Sequence, residues 1–320
     1  MKKFLALLLA LVMSLSLVAC GGGDDTAADG GADAEDGGNA ETAAYQVAMI
    51  TDYGDITDQS FNQTTYEACQ EFCDAEGLQF EYYKPAGDST AERVAMVDAA
   101  VADGYNVIVM PGYAFAETIK ETAELYPDVT FIALDVAQGD LGEDYTVPSN
   151  VYCAVYQEEL CGYMAGYAAV KLGYTHLGVL GGMAVPAVQR FGYGFVQGAD
   201  AAAKELNEKV EMNYSWQYGA NFNASPELQT MAAGWYQTGT EVIFACGGSM
   251  FASISAAAAA EEGKVVGVDV DQSGESTTVI TSAMKGLADS AQWAPVCPSF
   301  ISRQGIILFA NTILIFTIGQ

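Results

Sequence analysis

The chain has 320 residues, 51% of them hydrophobic, and 41 acidic against 12 basic side chains give a formal net charge of −29. So acidic a body would be repelled by nucleic acid and by anionic lipid, which excludes both as partners. The length suffices for a large core, usually divided into two domains.

Met1-Lys2-Lys3 is followed by an apolar run from Phe4 to Leu17 and then by Val18-Ala19-Cys20-Gly21. A basic start, an apolar run too short for a membrane span and small residues before a Cys describe a lipoprotein export signal. Cleavage would leave Cys20 as a lipid-bearing N-terminus, holding the protein on the extracytoplasmic face of the cell membrane. Residues 21–44 contain only Gly, Ala, Asp, Glu, Thr and Asn. Such a segment buries no apolar surface and is expected to be a disordered acidic tether.

From Tyr45 onward, short continuous apolar runs predict strands at Val47–Ile50, Val107–Met110, Val129–Leu134, Leu177–Leu180, Val242–Ala245 and Val265–Val268. Continuous rather than alternating apolar character suits parallel strands covered on both faces. A helix is predicted over Ser89–Asp103, with Ser89 and Glu92 as a capping box and Val94, Val97 and Val101 as its apolar stripe. Repeated β-α units predict an α/β fold with helices on both sides of parallel sheet. Their number exceeds one sheet, so two doubly wound lobes joined by hinges are expected. Lobe 1 is expected to comprise 45–150 plus about 276–294, and lobe 2 151–275, with one crossing near Pro148–Val151.

Ligands of open α/β sheets collect outside the carboxyl ends of the strands. The residues there are Thr51-Asp52-Tyr53, Pro111-Gly112, Asp135, Gly181-Gly182, Gly247-Gly248 and Asp269. Facing lobes would bring Asp52, Asp135 and Asp269 to one cleft. Of the seven cysteines, Cys69 and Cys73 are four apart on a helix, and Cys153, Cys161, Cys246 and Cys297 fit no metal spacing. Buried free thiols are expected rather than a disulfide framework. The single His176 cannot by itself build a histidine metal site or a catalytic triad. Asp269 to Gly274 looks like half a calcium loop, but its twelfth position is Ile280, where a bidentate Glu is required. Gly192, Gly194 and Gly198 do not follow a strand directly, so they suit close helix packing better than a dinucleotide. No Walker motif occurs, and no metal or cofactor is implied.

The segment from Asp52 to Asn62, DYGDITDQSFN, carries the D-x-S-F-N signature and resembles the basic membrane protein family of lipoproteins. Further matches follow in order: YQEELCGYMAGYA from Tyr156, LGVLGGMAVPAVQRFGYGFVQGA from Leu177, VVGVDVDQ from Val265 and TSAMK from Thr281. The family supplies nucleoside-binding subunits of ABC transporters and is similar to the purine nucleoside receptor lipoproteins. The resemblance implies a type I periplasmic-binding-protein fold with a nucleoside held between two lobes. It implies that Phe61 and Phe222 sandwich the base, that Asp52 and Asp135 accept hydrogen bonds, and that Asp269 and Lys285 hold the ribose hydroxyls. Asn62 and Gly247 complete the implied set, and Tyr53 stands where some relatives carry an Asn. The implied partners are a permease and a separate ATPase subunit.

The chemistry of these side chains agrees with the implied roles. Stacking on a purine is worth about 1–3 kcal/mol per base. A carboxylate can accept two adjacent ribose hydroxyls in charge-assisted bonds, and Lys285 would offset the charge of Asp269. Two other classes remain open: a type I receptor for a sugar or other small molecule coupled to signalling, and a nucleoside hydrolase using paired carboxylates. The region 295–320 departs from the family. It contains no Asp or Glu, and Arg303 is its only charge. A frameshifted or truncated reading frame is expected there, the alternative being a divergent end that packs as a strand or helix.

Overall fold

The computed structural model describes residues 45–218, 222–293, 306–309 and 314–316. Cys20, Cys297, the export signal and the tether lie outside them. Two six-stranded sheets form the frame. The first is parallel throughout, in the order β11-β5-β4-β3-β1-β2, with β1 Gln46–Ile50, β2 Gln79–Tyr83, β3 Val107–Pro111, β4 Thr130–Leu134, β5 Val151–Tyr156 and β11 Ile306–Phe309. The second runs β12-β10-β9-β8-β6-β7, with β6 His176–Gly181, β7 Glu211–Ser215, β8 Val242–Cys246, β9 Lys264–Asp269, β10 Val279–Met284 and β12 Leu314–Phe316. Among the described residues only the β10–β12 pair is antiparallel.

The six strands expected from apolar runs are all present, each extended by one or two residues or shortened by one. β3 and β8 are buried along their whole length, as strands covered on both faces must be. The two α/β lobes so formed correspond to the expected architecture. The expected partition between them needs two corrections. β5 pairs with β4, so it belongs to the first lobe, and the chain crosses after Tyr156 rather than near Pro148–Val151. β10 pairs with β9 and belongs to the second lobe; the return to the first lobe comes at 285–287. The reason lies in β5 and β10 themselves: each supplies buried faces to the sheet preceding it in sequence.

Helices occupy both faces of each sheet. α1 Phe61–Glu76, α2 Thr90–Ala102, α3 Ala116–Thr122 and the short α4 Gln138–Leu141 belong to the first lobe. α5 Glu158–Lys171, α6 Pro186–Leu206, α7 Pro226–Gln237 and α8 Met250–Ala260 belong to the second, and α9 Leu287–Trp293 returns to pack its Ala291 with the first-lobe core. Ser89 caps α2 as expected: its Oγ accepts from the Glu92 amide at 3.2 Å and donates to Glu92 Oε2 at 2.8 Å.

The glycines of α5 and α6 explain how these two helices lie so close. A Cβ at Gly162 or Gly166 would collide with backbone of α6, and one at Gly194 or Gly198 with backbone of α5. Gly194 and Gly198 therefore serve helix packing, as their sequence context implied, whereas Gly192 makes room for the Tyr214 hydroxyl. Cys69, Cys73, Cys153, Cys161 and Cys246 are buried free thiols. Burial pushes the thiols of Cys153 and Cys161 up to about 12. Two pieces of the atypical tail pair with the sheets, β11 beside β5 and β12 beside β10.

Candidate functional site

The cleft lies where the carboxyl ends of strands from both lobes meet. About 750 Å³ of empty space, counted out to its open mouth, is lined by residues of both. All nine residues singled out as ligand contacts line it: Asp52, Tyr53, Phe61, Asn62, Asp135, Phe222, Gly247, Asp269 and Lys285.

Local folding explains the first group. Asp52 follows β1 and accepts from the amides of Tyr53 at 2.6 Å and Gly54 at 2.8 Å, so one of its oxygens is committed to its own turn. Burial pushes its carboxyl above the usual range, against those two amide bonds. Asp58 opens the D-x-S-F-N motif and accepts from the amides of Ser60, Asn62 and Gln63 and from the Asn62 side chain, all at 3.0–3.1 Å. It thereby satisfies orphan donors at the start of α1 and fixes the helix that presents Phe61. Asn62, expected as a ligand contact, gives its amide to Asp58; its Oδ1 is buried without a hydrogen-bond partner.

Asp135 and Asp269 are the second group. Each sits at the end of a strand, β4 and β9, with φ of 61° and 67°, the left-handed region that Asp tolerates better than most residues. Strain of this kind collects at functional sites, at about 1–3 kcal/mol each. Asp269 accepts from Ser60 Oγ at 2.7 Å. Burial pushes its carboxyl up, while Lys285 and the Ser60 bond pull it down. Asp135 Oδ1 is buried and has no hydrogen-bond partner.

Lys285 corrects an expectation. Its Nζ lies 2.5 Å from Asp135 Oδ2 but 3.7 Å from Asp269 Oδ1, so Asp135 rather than Asp269 is its primary partner. A third carboxylate, Glu158 at 3.5 Å, was missed by sequence reasoning; its side chain is wholly buried at the start of α5 and accepts from Arg190 Nε at 2.6 Å. Burial alone would lower the Lys285 ammonium, but the three carboxylates outweigh it and hold the group well above its ordinary value. Burial likewise pushes Glu158 up, opposed by Lys285 and Arg190. The ammonium also lies 4.9 Å from the centre of the Phe61 ring.

Phe222 precedes α7 with φ 56°, and its ring rests on glycines: a Cβ on Gly182 would enter it, and one on Gly247 would lie 2.6 Å from Cδ1. The glycines at the ends of β6 and β8 thus serve as a floor for an aromatic ring. Phe61 from the first lobe and Phe222 from the second both face the cleft. Tyr53 and Tyr113 line it too, and both hydroxyls point to Met183 Sδ, at 3.9 and 3.6 Å. Phe191 and Asn223 also line the cleft, although neither was singled out as a ligand contact. Among the described residues no cluster of His, Cys, Asp and Glu is arranged to hold a metal ion.

Two parallel-sheet lobes with polar strand ends facing one cleft are the architecture of periplasmic solute-binding proteins. A solute-binding protein of an ABC transporter system from Aeropyrum pernix has this fold, with a TM-score of 0.72 at 23% identity over 84% of this chain and 76% of that one. One from Conexibacter woesei gives 0.65 at 22% identity, covering 85% and 88%. The Bmp family profile, described as ABC transporter substrate-binding protein PnrA-like, matches residues 45–294, and the chain belongs to that family. It is 27% identical over 240 residues to the ABC transporter nucleoside-binding protein BmpA of Lactococcus lactis, covering 71% of this chain. That match spans only 64% of the relative's length. Basic membrane protein B of Borreliella burgdorferi is 28% identical over 253 residues, which are 77% of this chain and 71% of that protein. This is a family of solute receptors rather than enzymes.

Proposed function

We propose that the protein is the extracytoplasmic substrate-binding subunit of an ABC importer and takes a purine nucleoside between its lobes. The observation that carries the reading is the joint placement of an aromatic ring from each lobe and the Asp135–Lys285–Asp269 set along one cleft. The rings would stack on the two faces of a base, a contribution of about 1–3 kcal/mol per base. Asp135 Oδ1, buried and without a partner, supplies an acceptor whose desolvation is offset only when a ligand donor reaches it. That gives discrimination, because a ligand lacking the donor leaves the penalty in place. Closure of the lobes over the ligand would create the form recognised by a permease, with ATP hydrolysis in a separate subunit.

Lipidation at Cys20 would hold this receptor at the membrane; among the described residues no helix is long and apolar enough to cross one. The BmpA relative is named for nucleoside binding, which supports the ligand class. Mass spectrometry of small molecules released by denaturing the purified protein, followed by calorimetry with inosine, guanosine, ribose and hypoxanthine, tests the reading. Nucleoside binding with ribose and free base bound far more weakly is expected. Preference for ribose, or turnover of inosine to hypoxanthine, would overturn it.

A further inference from the structure

The lobes also touch beside the cleft, through residues of which only Asp269 lines it. Gln272, wholly buried in the second lobe, uses both ends of its amide. Its Oε1 accepts from the Val268 amide at 2.9 Å within its own lobe, and its Nε2 donates at 2.9 Å to the Gln59 carbonyl of the first. Gln59 is held at φ 55°, which turns that carbonyl. The next residue, the fully buried Ser60, donates to Asp269 across the same divide at 2.7 Å, and the exposed Gln59 amide reaches Glu275 at 2.5 Å. None of Gln59, Ser60, Gln272 and Glu275 lines the cleft.

We infer that Gln59, Ser60 and Gln272 form an inter-lobe latch that sets how far the lobes close and positions Asp269 for ligand. The three bonds link first-lobe atoms to second-lobe atoms, so opening the cleft breaks all of them together. Two involve fully buried groups, and a buried donor or acceptor left unpaired is costly. The latch therefore biases the open–closed equilibrium without touching ligand, and apparent affinity scales with the closed fraction.

The latch rests on the two-lobe receptor reading but not on the identity of its ligand. Ser60→Ala removes one donor. Gln272→Glu keeps the acceptor for the Val268 amide and replaces the inter-lobe donor with an oxygen facing the Gln59 carbonyl. Small-angle scattering of wild type, S60A and Q272E without added ligand reads the equilibrium directly. A larger radius of gyration in both variants, with unchanged circular dichroism, is expected; radii equal to wild type would overturn the latch. With inosine as the probe, each variant should bind about fivefold more weakly, as expected for one lost hydrogen bond. Ligand enters the open form, which lacks the latch bonds, so the loss should fall on dissociation rate; an equal loss in association rate would also overturn it. A wild type that binds no nucleoside would sink the ligand assignment alone, and the scattering comparison would still decide the latch.

Discussion

Replacing Lys285 by Met tests the electrostatic account of the cleft directly. At an effective dielectric of 20, charges at 2.5, 3.5 and 3.7 Å attract the ammonium with a combined gross energy of about 16 kcal/mol, most of it spent on desolvating the four groups. The variant does not lose that gross sum, because the cluster can relax by taking up a proton. Arg190 still neutralises Glu158, so the net charge on Asp135, Asp269 and position 285 goes from −1 to −2, and uptake of one proton restores it. Protonating one ordinary carboxyl of pKa near 4 costs about 4 kcal/mol at pH 7 and about 1 kcal/mol at pH 5. Those figures are the predicted destabilisations of Lys285→Met at the two pH values.

The sign follows from linkage. Asp269 and Glu158 have folded-state values raised by burial, so their contribution is complete below the unfolded carboxyl range and is lost as pH rises through the folded values. Removing the ammonium raises those values further and steepens the loss. Lys285 is itself raised, so in the wild type its contribution survives throughout neutral pH and fades only in strong alkali. Urea unfolding of ligand-stripped protein at pH 5 and 7 reads both numbers. In melting experiments the pH 7 loss corresponds to about 8–16 °C. A destabilisation below 1 kcal/mol at pH 7, or one independent of pH, would refute the claim that Lys285 neutralises buried carboxylates.

Phe61→Ala and Asp269→Asn should each weaken nucleoside binding at least tenfold, about 1.4 kcal/mol, with the fold intact by circular dichroism; unchanged calorimetric affinity for both would remove the site assignment. Gly182→Ala should displace the Phe222 ring that rests on it, lowering affinity for nucleoside while affinity for ribose stays the same. Gly166→Ala lies far from ligand but drives a methyl into the Phe195 carbonyl; about 1–3 kcal/mol of stability should be lost in urea, with nucleoside affinity of the folded protein kept.

Six strands were legible because a parallel strand buried on both faces must be continuously apolar, as β3 and β8 are. The edge strands β2 and β7 were not, since neither has a buried residue and each mixes polar side chains such as Glu, Gln and Asn with aromatics. β10 hid behind Thr281 and Ser282, whose buried hydroxyls dilute the apolar signal, and misplacing it moved the lobe boundary. Asp52, Asp135 and Asp269 were legible because polar residues directly after apolar strands mark the ligand edge of such sheets. Glu158 was not: at a helix start it reads as a solvated acid favouring the dipole, and only the fold buries it against Lys285. The pairing of Lys285 with Asp135 also needed three dimensions, since 150 residues separate them.

Asp135 and Asp269 show why this cleft is costly to maintain. Each lobe ends a strand with an aspartate in left-handed backbone, and the two carboxylates face one ammonium. Strain at both positions, with Glu158 buried beside them, is a standing burden on the fold. Hydrophobic substitutions of similar volume would relieve a buried charge cluster and commonly stabilise a protein. On the proposed reading, a ligand with several hydroxyl or amino donors takes the open acceptors and offsets that burden. The same cluster would repel an additional phosphate, because Asp52, Asp55, Asp58, Asp135 and Asp269 line the cleft with Lys285 as the only cationic residue among the lining. The electrostatics therefore favour a neutral, donor-rich ligand, which is what a nucleoside is and a nucleotide is not.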